Sequence, residues 1–320
     1  MAEPLLSVVV CTYNRAALLQ EVLESLLEQS ADASLYEVVV VDNNSTDETV
    51  RVAEAFTRTH GNVRLVAEQR QGLSHARNRG ASEARAAWIA YIDDDARAHN
   101  DYIERALKTI GACGFECFGG VYLPWYRDGQ PMWYKSRYAS NRHDQEFLGY
   151  LPEHKYASGG NFLIKKQLLE RVGGFPAELG MCGGAMAYGE ETRLQIELRN
   201  MGYRIGFDPE LLIDHYVAPY KQHVSWFFKA AFRIGESSWI VNGKRVTPFA
   251  LLLHTAALPL LPLAALPGNL LRWMRGGHWQ NFVIDTFSRA AAVLGRLKAG
   301  ITQYRAINES VAAMAATKER

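Results

Sequence analysis

Three consecutive carboxylates, Asp93, Asp94 and Asp95, follow a short apolar run at residues 88–92. The run is rich in β-branched and aromatic residues and predicts a buried strand. Like charges in a row repel one another and cannot be buried unless a positive charge compensates them. Mg²⁺ or Mn²⁺ would do so, because these ions prefer oxygen ligands and commonly hold substrate phosphates as well. Asp93 and Asp95 leave an extended strand on the same side, so we expect them to share an ion while Asp94 points away. A solvated acidic turn is the alternative.

Polar clusters follow two other predicted strands. The apolar runs before Thr12 and Asp42 lead into the polar stretches 12–15 and 42–45. Strands alternate with helices over the first 120 residues, which predicts a Rossmann-like, mainly parallel sheet with helices on both faces. Ligands of such sheets bind beyond the carboxyl ends of the strands. The three clusters therefore predict a pocket for a nucleotide with a metal-bound diphosphate. Neither a GxGxxG nor a GxxxxGK[ST] phosphate loop follows the first strand.

Helical periodicity and capping residues add local detail. Ser45 and Glu48 match a capping box that opens a helix running through Phe56. A further helix is predicted over 73–86. The first helix is predicted over 17–28, with an apolar face made of Leu18, Val22, Leu26 and Leu27.

Chain length, charge and cysteine content limit the function classes. With 320 residues the chain can hold one large or two modest domains. Its 35 Lys and Arg against 34 Asp and Glu give a net charge of +1, which argues against a nucleic-acid partner. The four cysteines form no CxxC pair and indicate reduced thiols. The N-terminus enters a predicted strand without a signal peptide, which is typical of a cytoplasmic protein.

Four ordered motifs resemble those of family 2 glycosyltransferases, which are inverting enzymes of the GT-A fold. They are VVCTYN at 9–14, VVDNNSTD at 40–47, GLSHARN at 72–78 and the triplet DDD at 93–95. The resemblance runs from about residue 5 to about residue 216. It implies a metal-dependent enzyme that moves a sugar from a nucleotide-diphosphate sugar to an acceptor hydroxyl, in cell-surface glycan or polysaccharide synthesis.

The resemblance also implies roles for individual residues. Asp42 would lie at the base, and Arg77 would approach the diphosphate. Asp95 would be the more direct metal ligand, together with Asp93, and His215 stands where some members place a further metal ligand. The residues that we assign to nucleotide-sugar binding are Thr12, Asn14, Asp42, Ser45, Arg77, Asp93 and Asp94.

Two adjacent acids, Glu190 and Glu191, begin a predicted helix in which Leu194 and Leu198 recur on one face. Acids in a first turn also interact well with the helix dipole, and this structural role is the alternative. In the family this position reads acid-acid, usually Glu-Asp, and the second acid is the catalytic base. The resemblance therefore implies that Glu191 is the base and that Glu190 binds the acceptor or orients its neighbour.

The segment from about 121 to 216 is expected to build the acceptor side. Aromatic residues crowd its first part, and Trp125 is our candidate for stacking on a sugar; cementing a long loop is an equally good interpretation. The turn at 158–161 resembles the glycine-containing turn that the family places beside the donor sugar, and a plain tight turn is an equally good interpretation. We place Gly160 and Asn161 from this turn with Trp125 on the acceptor side.

An apolar helical region follows residue 216. The uncharged run 249–271 is long enough to cross a bilayer, but Pro259, Pro262 and Pro267 are expected to break it. It could attach to a membrane surface, span the membrane, or form a soluble or dimerising tail. We therefore predict three regions: a nucleotide-sugar-binding half at 1–120, an acceptor and catalytic half at 121–216, and this tail at 217–320.

The overall prediction is a transferase at the cytosolic face of a membrane. Its partners would be a UDP-, GDP- or dTDP-linked sugar, a glycan or lipid-linked acceptor and Mn²⁺ or Mg²⁺, with a homodimer left open. The alternatives are a nucleotidyltransferase that makes nucleotide sugars and a non-catalytic nucleotide-binding scaffold. The first would need a glycine-rich phosphate loop, and the intact Asp95 and Glu191 argue against the second.

Overall fold

A computed structural model of the chain describes residues 3–141, 145–183 and 186–318. The chain divides into two compact units. The first consists of residues 1–127, 135–185 and 190–217, and the second of 128–134, 186–189 and 218–320.

The first unit contains a sheet with nine strands among its described residues, surrounded by helices. In chain order its elements are β1 (Leu6–Thr12), α1 (Ala16–Leu27), β2 (Tyr36–Asp42), α2 (Thr49–Thr59), β3 (Val63–Ala67), α3 (Leu73–Glu83), β4 (Trp88–Asp93), β5 (Ala96–Ala98), α4 (Tyr102–Ala112), β6 (Cys117–Trp125), β7 (Gly149–Tyr150), β8 (Asn161–Lys165), α5 (Lys166–Arg171), α6 (Glu190–Asn200) and β9 (Gly206–Tyr216).

The strand order is β3-β2-β1-β4-β8-β6-β9-β5, with β7 paired to β9. The four strands β1 to β4 are parallel to one another, as predicted, and β6 is parallel to β9. Because Thr12 is in register with Asp42, and Cys11 with Asp93, the polar strand ends meet at one edge of the sheet. The predicted α/β architecture is confirmed.

Apolar side chains fill both faces of the sheet. Successive residues of a strand point to opposite faces, so Val8 and Val10 belong to one core cluster and Val9 to the other. Strands buried on both sides need continuous apolar runs, which explains the four consecutive valines 38–41.

Three local predictions need correction. Helix α1 buries Leu19, Val22, Leu23 and Leu26, so its apolar face is rotated from the predicted one, and Leu18 and Leu27 lie at its margins. The capping box is wrong, because α2 begins only at Thr49. The Ser45 hydroxyl instead accepts a hydrogen bond from the Asn14 amide. Helix α3 ends at Glu83 because its successor Ala84 has an extended ψ of 132°.

The second unit contains three α-helices in its described residues 218–318. They are α7 (Val224–Val241), α8 (Pro248–Met274) and α9 (Trp279–Lys318). Helix α8 is continuous through Pro259, Pro262 and Pro267, so the predicted breaks do not occur. The Thr247 hydroxyl caps it by accepting from the Ala250 amide. By length and composition α8 could cross a membrane, and it is the one such helix among the described residues.

Candidate active site

Two carboxylates and an imidazole converge at the sheet edge. Asp93 ends β4, Asp95 follows it by two residues, and His215 lies near the end of β9. Strand β5 turns back from Asp95 and pairs with β9, placing Ala96 opposite His215. One ligand atom from each of the three side chains lies within 4.8 Å of the others. The sequence prediction that Asp93 and Asp95 point to the same side therefore agrees with the structure.

The donor set of this cluster fits a divalent cation. Two carboxylates suit Mg²⁺ or Mn²⁺, and the imidazole shifts the preference towards the transition metal. The His215 Nε2 atom lies 3.3 Å from an Asp95 oxygen. Its Nδ1 atom is buried and has no hydrogen-bond partner among the described residues, although buried polar atoms normally have one. Both observations favour a ligand that would complete the cluster.

Arg15 compensates the acidic triplet from within the protein. Its guanidinium lies 3.2 Å from an Asp94 oxygen and 2.9 Å from an Asp95 oxygen. Asp94 therefore does not simply point away: it shares Arg15 with a candidate metal ligand. Burial raises the pKa of Asp94, and Arg15 offsets part of that increase. The sequence analysis missed this role of Arg15. The available signal was a basic residue just after the first predicted strand, at the same sheet edge as the three consecutive acids.

The loops after β1 and β2 are tied together beside this cluster. The Asn14 side-chain oxygen accepts from the Thr46 amide at 2.7 Å, and the Asp42 carboxylate accepts from the Ser45 amide at 3.3 Å. Asn14 has a positive φ of 53°, a conformation that asparagine tolerates well. The structure thus brings together four predicted nucleotide-binding residues: Thr12, Asn14, Asp42 and Ser45.

The expectation that Arg77 approaches the diphosphate needs correction. Arg77 is only 3 % exposed and lies between two carboxylates, 2.7 Å from Glu190 and 3.1 Å from Asp93. Burial lowers the pKa of Arg77, but these carboxylates outweigh it and raise the pKa overall. Arg77 therefore links the metal-binding cluster to the acid pair of α6 and has little surface left for a ligand.

The turn at 158–161 lies against this ion-pair network. A Cβ atom at Gly160 would come within 2.3 Å of an Asp93 oxygen, and one at Gly159 within 3.0 Å of the Arg77 guanidinium. Glycines are needed here because Asp93 and Arg77 pack directly on the backbone. The structure thus explains the glycine at position 160 by the close packing of Asp93. Gly160 lies at the metal-binding cluster and not in a separate acceptor site.

Asn161 does not belong with the acceptor residues. It is fully buried, and its amide group donates to the carbonyls of Val121 and Leu211. Its side-chain oxygen accepts from the Tyr102 hydroxyl at 2.9 Å. These bonds connect β8 to β6, β9 and α4, and they occupy both donors of the amide group, so the buried Asn161 side chain holds the fold together instead of facing a sugar.

Replacing Gly160 by alanine is expected to lower activity by about ten- to a hundredfold, because small misplacements of reacting groups have effects of that size. The added methyl group must displace the Asp93 carboxylate. Steady-state kinetics at several Mn²⁺ concentrations would show a raised metal requirement. Gly61→Ala is the matched control, since a Cβ there meets no atom of the described residues within 4 Å. Wild-type kinetics for both variants would contradict the steric role of Gly160.

Glu190 and Glu191 begin helix α6 beside Arg77. Glu190 is buried in its ion pair, so its charge is already compensated. Part of the Glu191 residue is open to solvent, yet its carboxyl lies deep in the protein. Burial, and then the negative charge of Glu190, raise the pKa of Glu191 to about 8, and Arg77 opposes the increase. Of the two acids, Glu190 is the one that the Arg77 guanidinium binds.

Tyr122, one of the aromatic residues that crowd the start of the middle segment, lies beside the metal-binding cluster. Its ring centroid lies 5.2 Å from that of His215. Burial, and then the charges of Asp93 and Glu191, raise the pKa of Tyr122 to about 12. Its phenol therefore stays protonated and can donate a hydrogen bond. It could do so between the metal-binding cluster, which contains Asp93, and the acid pair of α6, which contains Glu191.

The aromatic residues of the middle segment divide into two sets. The guanidinium of Arg97 lies 3.5 Å from the ring centroid of Trp125, so one face of this ring is covered. In the second unit, Trp133 and Tyr134 pack on Phe227 at 6.2 and 5.8 Å. The loop-packing interpretation therefore holds for Trp133 and Tyr134.

Comparison with known proteins places the chain that builds this site in a family. The family model described as Glycosyl transferase family 2 matches residues 7–173. Glycosyltransferase AglE of Haloferax volcanii is 27 % identical over 266 residues, which cover 81 % of this chain and 83 % of AglE. A glucosyl-dolichyl phosphate glucuronosyltransferase of the same organism is 26 % identical over 242 residues, covering 74 % and 77 %.

A solved structure shares the fold. The mannosyltransferase PcManGT from Pyrobaculum calidifontis, in complex with GDP-Man and Mn²⁺, superposes with a TM-score of 0.62 at 22 % identity. The superposition covers 94 % of this chain and 88 % of that one.

Proposed function

The chain belongs to glycosyl transferase family 2, and from this premise we propose where and how it transfers a sugar. It is a glycosyltransferase that uses a nucleotide sugar in glycan synthesis. The observation that carries the proposal is the ion-pair network through Arg77, which joins Asp93 of the metal cluster to Glu190, the neighbour of Glu191. Cation site and candidate base are thereby held at fixed positions in one unit.

We assign the donor to the sheet edge. Asp93, Asp95 and His215 would hold a divalent cation, for which we propose Mn²⁺. The bound cation would neutralise the diphosphate leaving group. Thr12, Asn14, Asp42 and Ser45 would surround the nucleoside, while Asp94 keeps Arg15 in place. PcManGT was solved with GDP-Man and Mn²⁺, which supports a nucleoside-diphosphate sugar as donor.

Glu191 would act as the general base. Its carboxylate would take the proton of an acceptor hydroxyl, which then attacks the anomeric carbon from the side opposite the diphosphate. The configuration at that carbon is inverted by such an in-line displacement. The protonated phenol of Tyr122 would donate a hydrogen bond at this centre, and Trp125 would offer an aromatic surface to the acceptor.

The acceptor is proposed to be a lipid-linked glycan. One relative is a glucosyl-dolichyl phosphate glucuronosyltransferase, and that name supports an acceptor of this class. We retain residues 1–120 as the donor half and 121–216 as the acceptor and catalytic half. We assign 217–320 to attachment at the cytosolic face of a membrane.

The rate is expected to rise with pH up to about 8 and then to level off, because the Glu191 carboxyl has its pKa raised to about 8 and works as a base only when ionised. The profile of kcat/KM between pH 6 and 9 would measure this. The rising part should be missing from the residual activity of Glu191→Gln. A rate that falls over this range would contradict a carboxylate base with a raised pKa.

The function is tested by incubating the protein with UDP-, GDP- and dTDP-linked sugars, Mn²⁺ and a dolichyl-phosphate-linked sugar. We expect release of one nucleoside diphosphate and a matching glycolipid product. The same reaction in excess chelator is the control. Absence of product with every donor, while the protein remains folded, would contradict a lipid-linked acceptor.

A further inference from the structure

The two parts of the chain carry opposite net charge. Residues 218–320 contain thirteen Lys and Arg but only four acids, Glu236, Asp285, Glu309 and Glu319, which gives a net charge of +9. The chain as a whole is at +1, so residues 1–217 are at −8. A basic segment of this size favours contact with an anionic surface.

Helix α8 turns an uncharged apolar stripe to the outside of its unit. Phe249, Leu253, Leu260, Leu263, Leu271 and Met274 recur at helical spacing and are all exposed. Leu260 and Leu263 are 60 % and 61 % exposed. An apolar stripe of this length usually marks an interaction surface.

The opposite face of α8 is polar and covered. The His254 Nε2 atom accepts from the Arg296 guanidinium at 3.0 Å, and Arg296 also donates to the Ser238 hydroxyl at 2.8 Å. Near the other end of α8, the buried Asn269 amide donates to the buried Thr286 hydroxyl at 3.0 Å. Polar residues thus join the three helices on the inside, while leucines face outwards.

Helices α7 and α9 touch through glycines. A Cβ at Gly235 would lie 1.9 Å from the Ala292 carbonyl oxygen, and one at Gly295 would lie 1.9 Å from that of Phe232. Small residues at helix crossings, with polar side chains as bridges, are typical of helices that pack in lipid. The three helices therefore combine this packing with an apolar outer face on α8, whereas a bundle built for water exposes mainly polar residues.

We infer that the exposed stripe of α8 inserts into an anionic bilayer with the helix lying parallel to the membrane surface. This deepens the proposed membrane attachment and is independent of sugar transfer. We assign the stripe to lipid and not to a second copy of the chain because of the charge of residues 218–320. Two copies that met through this region would each bring a net charge of +9 and would repel one another. Anionic headgroups would instead attract Arg272, Arg275 and the other basic residues at the helix ends.

Helix α9 argues against a spanning orientation. It runs antiparallel along α8, from Gly300 beside Leu251 to Phe282 stacked on Trp273 at 5.5 Å. If α8 spanned the membrane, the part of α9 between these points would also lie in the hydrocarbon core. This part contains charged residues, including Asp285 and Arg289, and charges are costly there. An in-plane helix keeps them on the water side.

Flotation of the full chain with phosphatidylcholine vesicles, with and without phosphatidylserine, tests the lipid contact. We expect wild-type protein to float with the anionic vesicles and less so at high salt. Leu260→Glu/Leu263→Glu should lower the bound fraction by about tenfold or more. Ala55→Glu/Thr59→Glu adds the same charge on exposed positions of α2 and should bind like wild type.

Equal binding of wild type and the α8 variant would overturn the inference. A second result would also overturn it: wild-type protein forms a dimer in light scattering without lipid, the α8 variant is a monomer, and neither protein binds vesicles. That result would assign the stripe to a second copy. None of these readouts uses catalysis, so they stand apart from a failure of the transfer assay.

Orientation is tested with single cysteines at the two ends of α8. Arg245→Cys and Arg275→Cys, each in a Cys182→Ser background because Cys182 is exposed, are bound to sealed anionic vesicles. An impermeant maleimide should label both equally before and after detergent. Protection of either position before detergent would mean that α8 spans, and would overturn the in-plane arrangement.

Discussion

Replacing Asp95 by asparagine is expected to reduce transfer to background. The substitution keeps the shape of the side chain but removes one of the two negative charges that would hold the cation, and it also removes a charged partner of Arg15. The diphosphate leaving group would then lack its main compensating charge. Transfer assays should find no activity, and Mn²⁺ titration followed by calorimetry should find weakened binding in the presence of nucleoside diphosphate.

Asp214→Asn is the matched control for this variant. Asp214 precedes His215 on β9, is 41 % exposed at its side chain and pairs with His99 at 3.4 Å, away from the cluster. It should keep near-wild-type activity and metal dependence. Full activity of the wild-type enzyme in excess chelator would contradict the metal site altogether. Full activity of Asp95→Asn with Mn²⁺ would remove Asp95 from it.

Replacing Glu191 by glutamine should lower turnover by about 10²–10⁴-fold, the usual contribution of a general base. Glutamine keeps the size and hydrogen bonding of the side chain but cannot accept the proton. Glu191 makes no ion pair with Arg77 of the kind that Glu190 makes, so the network around Asp93 should survive. Turnover should fall while calorimetry shows unchanged affinity for nucleoside diphosphate with Mn²⁺.

Two neighbouring glutamates sharpen this experiment. Glu197→Gln, on the same helix and in a surface ion pair with Arg193, should leave turnover unchanged. Glu190→Gln leaves the buried Arg77 with one carboxylate partner fewer, so we expect lower stability and weaker metal binding along with weaker acceptor binding. If Glu190→Gln abolishes turnover in a stable protein and Glu191→Gln does not, the base is Glu190.

The grouping of polar residues at the sheet edge could be predicted from the sequence because the strands β1, β2 and β4 are marked by local signals. Apolar runs that end in Thr12, Asp42 and Asp93 mark parallel strands, and parallel strands place their carboxyl ends together. His215 lies 120 residues after Asp95 in the sequence, and no periodicity connects them; the family motif alone made it a candidate.

The roles of Arg77 and Asn161 could not be predicted, because they depend on contacts between distant segments. The partner of Arg77 that changes its role, Glu190, is 113 residues away. Asn161 stands in a glycine-rich turn that looks like a ligand loop, but its side chain points into the sheet and bonds to three distant strands or helices. Side-chain direction in an irregular turn is set by tertiary packing, which a single sequence does not encode in any local pattern.

The position of β9 in the sheet constrains how the protein is made. This strand is the last in the chain, yet it pairs with β5, β6 and β7, which stand 50 to 120 residues before it. The parallel half, β1 to β4, is complete once about the first hundred residues have left the ribosome, whereas β5 and β7 have no strand partner until residue 206 and beyond emerge. A nascent chain therefore exposes open strand edges for most of its synthesis. Since β9 also brings His215 to Asp95, a chain that stops early would hold the nucleoside loops but lack a complete cation site.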